Sequence, residues 1–214
     1  MRQKDLKNWP RRDHFELFNT FDYPHFCICA NVDLTAFYPM VKQRGISFTV
    51  AVVYLIARTA NAIPEFRQRI RAGEVVEHDI VHPSTTFLTT DDLFSFCFLE
   101  YDEDFSTFAV RSTEKIAQLR KNPTIKEESL EDNQLYMTSI PWVSFTSIMH
   151  PLKLYPADSV PRFAWGKFFE EGNKIKMPLS VQGHHALIDG IHAGRFYEKI
   201  QDYLDEPETL LSNE

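Results

Sequence analysis

The segment Gln182-Gly183-His184-His185-Ala186-Leu187-Ile188-Asp189-Gly190 constrains this 214-residue chain more than any other. Before it, Lys176-Met177-Pro178-Leu179-Ser180-Val181 is a short apolar stretch that reads as a buried strand. Asp189-Gly190 is a turn signal, and Ile191 to Leu204 then reads as a helix. Two adjacent histidines therefore fall where a strand ends and a turn begins. Adjacent strand residues point to opposite faces, so only one of His184 and His185 faces any given cavity. Three readings stay open on these residues alone. Both rings are core histidines with satisfied hydrogen bonds. One is a general base, because an unperturbed imidazole titrates close to neutral pH. Or His185, Asp189 and His192, at i, i+4 and i+7, hold a metal. The metal reading needs one continuous helix, and Gly190 with the strand before it argues against that.

Hydrophobic residues make up 43% of the chain, which is the composition of a globular protein. The length predicts one domain over 1–214 with a substantial core. The 18 phenylalanines imply an aromatic core, with some left over for a cavity or a subunit interface. A net charge of −7 argues against nucleic acid as a partner, because a phosphate backbone needs clustered Lys and Arg. Cys27, Cys29 and Cys97 have no zinc spacing and no Cys-x-x-Cys pair, which fits a reduced cytoplasm. Met1 to Leu6 is too polar for a signal peptide. The apolar run Phe48 to Ala57 is far shorter than the ~20 residues a membrane helix needs, so no membrane association is expected.

Periodicity predicts helices at Arg11 to Phe18, Leu34 to Lys42 and Ser47 to Asn61, the last apolar almost all round and therefore central. Asp104 caps a further amphipathic helix carrying Phe105, Phe108, Ala109, Ile116 and Leu119 on one stripe. Strands are expected at His25 to Val32, Glu74 to Val81, Thr85 to Thr89, Leu93 to Glu100, Leu135 to Ile140, Val143 to Met149, Phe163 to Phe169 and Lys174 to Gln182. Lys121 to Asn133 is polar and reads as an exposed connection. Clustered strands with flanking helices point to an α/β two-layer sandwich with a large mixed sheet.

Four blocks carry a resemblance that runs nearly end to end. They are Asn8-Trp9-Pro10-Arg11-Arg12-Asp13-His14-Phe15, Pro64-Glu65-Phe66-Arg67, Pro141-Trp142-Val143-Ser144-Phe145-Thr146-Ser147, and Met177 to Arg195. In this order they resemble the trimeric, CoA-dependent chloramphenicol acetyltransferase family. The resemblance implies the same sandwich fold, acetyl-CoA as co-substrate with no metal, and a homotrimer with active sites between subunits.

Carried over residue by residue, the resemblance puts the general base on His185. It implies a pair between Asp189 and Arg11 that holds the active-site loop, instead of a catalytic triad through Asp189. Thr138 stands where the family uses a serine to donate a hydrogen bond to the oxyanion. The neighbouring Ser139 is expected to point the other way. His184 is assigned to structure, and Gly183 replaces a branched residue, which is expected to loosen the strand end.

Family positions lining the acceptor site fall on Leu17, Phe18, Asp22, Pro24, Phe26, Thr86, Phe94, Phe96, Tyr136, Ile148, His150 and Ala164. Phe26, Thr86 and Phe94 keep the pattern. Phe18 lacks a usual tyrosine hydroxyl, Phe96 replaces a small residue, His150 an apolar one, and Ala164 a threonine. Two enzymatic readings follow: acetylation of a chloramphenicol hydroxyl, or of another hydroxyl acceptor. A sequestering protein without turnover is a third. Lys167, Lys174 and Lys176 are basic and near the active segment, but a solvated charged face explains them as well as CoA phosphates do.

Overall fold

The structure is a computed structural model that describes residues 1–89, 92–125, 131–153, 155 and 157–211. Its elements in chain order are β1 (Arg2–Gln3), α1 (Arg12–Phe18), β2 (His25–Asp33), α2 (Phe37–Gln43), α3 (Phe48–Asn61), a 3-10 turn (Pro64–Arg67), β3 (Gln68–Arg71), β4 (Glu74–Glu77), β5 (His82–Leu88) and β6 (Phe94–Phe98). They continue with α4 (Phe105–Lys121), β7 (Gln134–Ile140), β8 (Arg162–Gly166), β9 (Phe169–Glu171), β10 (Lys174–His184), α5 (Gly190–Asp205) and α6 (Pro207–Leu211).

The main sheet has seven strands in the order β2-β10-β8-β7-β5-β6, with β9 added alongside β10. The β5–β7 and β7–β8 pairs are parallel and the rest are antiparallel, so the sheet is mixed. Pro178 is tolerated inside β10 because it falls where the ladder on that side changes partner. Residues 174–176 pair with β9 and residues 179–182 with β8. One face of the sheet is apolar: Ile28, Val181, Phe163 and Met137 align across four strands. Helices α3, α4 and α5 pack on it and close a two-layer core with Tyr54, Phe66, Phe108 and Phe196 fully buried. Helix α3 is the centre of that layer, and Ser47 caps it by accepting from the Val50 amide.

Two differences from the sequence reading have physical causes. The expected strand Val143 to Met149 is an irregular strap. The Cys27 thiol donates to the Ile148 carbonyl, and the His150 amide donates to Gln182 Oε1, so side chains of the sheet take up its polar groups. Pro141 and Pro151 bound it and deny it a continuous ladder. Of a second, three-stranded sheet, β1-β4-β3, only β4 was expected, within Glu74 to Val81; β1 and β3 are two and four residues long and highly charged, which hides them. The sheet closes around Glu77, whose buried carboxylate meets Arg2 at 2.6 Å and Lys4 at 2.5 Å. The expected connection Lys121 to Asn133 starts on the last residue of α4 and carries no helix or strand over its other described residues; residues 126–130 lie outside the described residues.

Candidate active site

Strand β10 ends at His184, and the chain turns at once. The His184 carbonyl accepts the amides of Leu187 and Ile188, both at 2.9 Å, which closes the turn. Asp189 is the N-cap of α5. The His185 amide donates to the Pro24 carbonyl at 2.7 Å, anchoring the turn to the start of β2. Gly183 does not loosen the strand end. A Cβ on Gly183 would lie 2.8 Å from Ile188 Cδ1, so the Ile188 side chain already fills that space.

Arg11, just before α1, pins this turn. Its guanidinium pairs through both terminal nitrogens with the Asp189 carboxylate, at 2.6 Å for Nη2 to Oδ1. The same side chain donates to the His185 carbonyl at 2.7 Å and to the Ala186 carbonyl at 3.1 Å. A planar fork bonded this way fixes both position and direction. Arg11 holds the Asp189 carboxyl below its usual range, chiefly through that hydrogen bond.

Asp189 has a second partner. Its Oδ1 lies 3.0 Å from His185 Nδ1, the triad-like contact that the sequence reading set aside in favour of Arg11. Both contacts exist together. A carboxylate at Nδ1 draws the ring proton there and leaves Nε2 as the nitrogen with a lone pair. The imidazole is held on its faces too: Phe18 stacks on it at 3.9 Å and Phe26 lies 4.7 Å away. The side chain remains 34% exposed, so Nε2 is reachable.

His184 points elsewhere. It is buried edge-on to His25, whose Nε2 lies 2.8 Å from the Asp158 carbonyl. Burial, reinforced by His25, pushes the His184 pKa down to about 4. It therefore stays neutral at ordinary pH. Asp22 and Pro24 share with His184 a cavity of about 540 Å³, where the Asp22 carboxylate accepts the Tyr155 hydroxyl at 2.9 Å.

Leu17 lies exposed on α1, and the remaining sequence candidates share the sheet face opposite the helices. Thr138 pairs with Ala164, which pairs with Ser180, and Ser180 with Cys29. Tyr136 pairs with Arg162, whose guanidinium lies 5.3 Å from the Tyr136 ring centre. Thr86 pairs with Phe96, and Phe94 and Phe96 meet edge to face at 5.5 Å. Thr138 is half-buried on β7. Ala164 is wholly buried, so within one chain it floors this face instead of lining it. The strap carrying Ile148 and His150 covers the β2–β10 end.

The structure therefore gathers the candidates into two sets. His185, Asp189, Arg11, Phe18 and Phe26 meet at the end of the sheet. Thr138, Thr86, Phe94, Phe96, Tyr136, Ala164 and His150 spread over its open face. Of the three lysines near the active segment, Lys174 pairs with Asp33 at 2.8 Å and Lys176 pairs with Glu171. Sequence reasoning missed His192 as a partner of the turn. Its Nδ1 accepts the Asp189 amide at 2.9 Å, and the N-cap-to-N3 spacing was the available signal. Among the described residues, no group of three or more His, Cys, Asp or Glu side chains is placed to hold a metal ion.

The profile of the chloramphenicol acetyltransferase family matches residues 1–201. A chloramphenicol acetyltransferase from Escherichia coli is 36% identical over 205 residues, covering 94% of this chain and 93% of its own. One from Klebsiella sp is 35% identical over 203 residues, with the same coverage of 94% and 93%. A solved chloramphenicol acetyltransferase structure superimposes with a TM-score of 0.83 at 26% identity, covering 95% of this chain and 100% of that one. Blocks at both ends of the chain, a mixed sheet backed by helices and a histidine locked into the turn after β10 agree with these matches: the chain belongs to the chloramphenicol acetyltransferase family.

Proposed function

We propose that this protein transfers the acetyl group of acetyl-CoA to a hydroxyl of chloramphenicol, with His185 as general base. The observation that carries this reading is the fixed imidazole. Asp189 occupies Nδ1, Phe18 and Phe26 hold the ring, and the side chain stays partly open to solvent. Nε2 takes the proton of the acceptor hydroxyl as its oxygen attacks the thioester carbonyl, and the tetrahedral intermediate then breaks its C–S bond, the departing CoA thiolate taking that proton from Nε2. Positioning and a poised base suffice for direct transfer, with no covalent enzyme intermediate.

Thr138 donates its hydroxyl hydrogen to the oxyanion. In support, that hydroxyl is half-buried on the open face and has no hydrogen-bond partner among the described residues. Phe18, Phe26, Thr86, Phe94, Phe96, Tyr136, His150 and Ala164 form the acceptor site. The two sets of residues fit a homotrimer in which His185 of one subunit faces the open sheet face of another. No helix among the described residues is long and apolar enough to cross a membrane. Cysteine usage favours a reducing cytoplasm, and residues 1–214 act as one acyltransferase domain.

A second acceptor is favoured by one observation. Both ring nitrogens of His150 and Nε2 of Gln182 are buried with no hydrogen-bond partner outside their own pair among the described residues, at the β2–β10 end of the acceptor face. Such groups discriminate strongly in favour of an acceptor that bonds them. The test is CoA-thiol release from acetyl-CoA with chloramphenicol, beside other hydroxyl acceptors and a His185→Ala control. Saturable release that disappears in the control supports the proposal. Release with another acceptor alone would replace chloramphenicol, and equal release in the control would remove His185 as base.

A further inference from the structure

His192 is buried at the third helical position of α5, three residues after Asp189. The Asp189 amide donates to its Nδ1 at 2.9 Å. An amide only donates, so Nδ1 must be the unprotonated nitrogen and the ring proton sits on Nε2. That Nε2 faces Glu65 Oε1, in the 3-10 turn, at 3.6 Å. This is one half of a capping box, with an imidazole where a glutamine or glutamate is usual. The substitution changes the chemistry. A carboxamide accepts at every pH, whereas an imidazole that takes a second proton has no lone pair left to accept with.

The charged groups around the ring are Glu65 from the 3-10 turn, Arg11 from the segment before α1, and Asp189 and Arg195 of α5. Burial is the largest influence and lowers the His192 pKa, against the pull of Glu65 and with the help of Arg11. The ring is therefore neutral where the reaction is expected to run.

We propose that His192 is a positioning residue for the transfer reaction. Neutral, it clamps the Asp189 amide, and through it the carboxylate that holds both Arg11 and His185 Nδ1. Protonated by solvent at Nδ1, it releases that clamp. This rests on His185 being the base. It adds a proton on His192 to the acid loss of activity.

The test compares the pH dependence of kcat in the wild-type protein, His192→Gln and His192→Ala. At about pH 7.5, His192→Ala lowers kcat by about tenfold to a hundredfold, because a misplaced base loses its alignment. KM for acetyl-CoA changes by less than about twofold, since no binding contact is lost. His192→Gln recovers most of that loss. Its acid limb of log kcat falls with a slope approaching one proton, where the wild-type slope exceeds one. Amide hydrogen exchange at Asp189 supplies a readout independent of turnover. Protection is expected to fall faster with acid in the wild type than in His192→Gln. Superimposable acid limbs and exchange profiles in those two proteins would overturn the proposal. If His185→Ala kept its turnover, the general-base reading would fail, while the exchange measurement would still judge the clamp.

Discussion

The Phe18 ring lies flat on the His185 imidazole, with centroids 3.9 Å apart and planes within 4° of parallel. The stack fixes the plane of the base, and Asp189 fixes its rotation within that plane. Phe18→Leu frees the ring to tilt. Turnover is expected to drop about tenfold with little change in Tm, because a small misalignment of a base is costly in rate. Phe18→Tyr keeps the stack and should keep most of the rate. A Leu variant with the wild-type kcat would show that the stack is incidental.

Asp189 serves two partners, so charge and shape separate in Asp189→Asn. The amide keeps the volume but leaves the Arg11 guanidinium, 12% exposed, without its counter-charge. Stability is expected to fall by about 2–3 kcal/mol, at or below the ~3–5 kcal/mol for breaking a fully buried pair, because the Asp189 side chain is 25% exposed. The rate is expected to fall at least about a hundredfold, because the turn and the His185 tautomer lose the same support. Denaturant unfolding and kcat, measured on one preparation, check both. Full inactivity with unchanged stability would restrict Asp189 to the chemistry.

Thr138 is tested by its methyl and its hydroxyl separately. Thr138→Ala removes the donor and is expected to lower kcat by about a hundredfold to a thousandfold, the usual scale for one oxyanion donor. Thr138→Ser keeps the donor and relaxes the rotamer, so the rate should stay within a few fold. Equal losses in the two variants would point to packing on β7 instead.

Acid should destabilise the protein earlier than its carboxylates alone would require. His184 titrates at about 4 in the fold against the ordinary 6.5, with burial as the main cause. Between those values the unfolded chain binds more protons than the native one, so stability falls as pH falls from about 6.5 to about 4. The loss from His184 levels off below about 4 and amounts to on the order of 3 kcal/mol. His25, His82 and His150 are lowered by burial as well and add in the same direction. His184→Gln should flatten the stability profile in that window, measured by denaturant midpoint at several pH values. Arg11 lowers the Asp189 pKa, so that carboxylate's contribution is lost only in stronger acid.

The helices of the core layer were legible because their apolar stripes are long: α3, α4 and α5 each run close to the span their periodicity predicts. The turn at His184 and His185 was legible because a strand pattern stops at a turn signal. What escaped was held together by side chains distant in sequence. The Val143 to Met149 segment has strand-like composition, yet the sheet's Cys27 and Gln182 take its polar groups. The small sheet depends on Glu77 gathering Arg2 and Lys4, which no local pattern announces. In the candidate site, the resemblance supplied Arg11 as the partner of Asp189. The simultaneous reach of Asp189 to His185 and the answering bond from His192 required coordinates.

Gly183 and Ile188 occupy one volume between them, since any Cβ at 183 would collide with the Ile188 side chain. The side chain at one position thus takes the space of the other. Engineering by majority vote would restore a branched residue at 183 and is expected to destabilise the protein by about 1–3 kcal/mol through overpacking. Gly183→Val with Ile188→Ala should recover much of that loss, which thermal unfolding of the single and double variants would check. Gly183 is half of a matched pair with Ile188, and a side chain added there alone would push on the turn that carries His185.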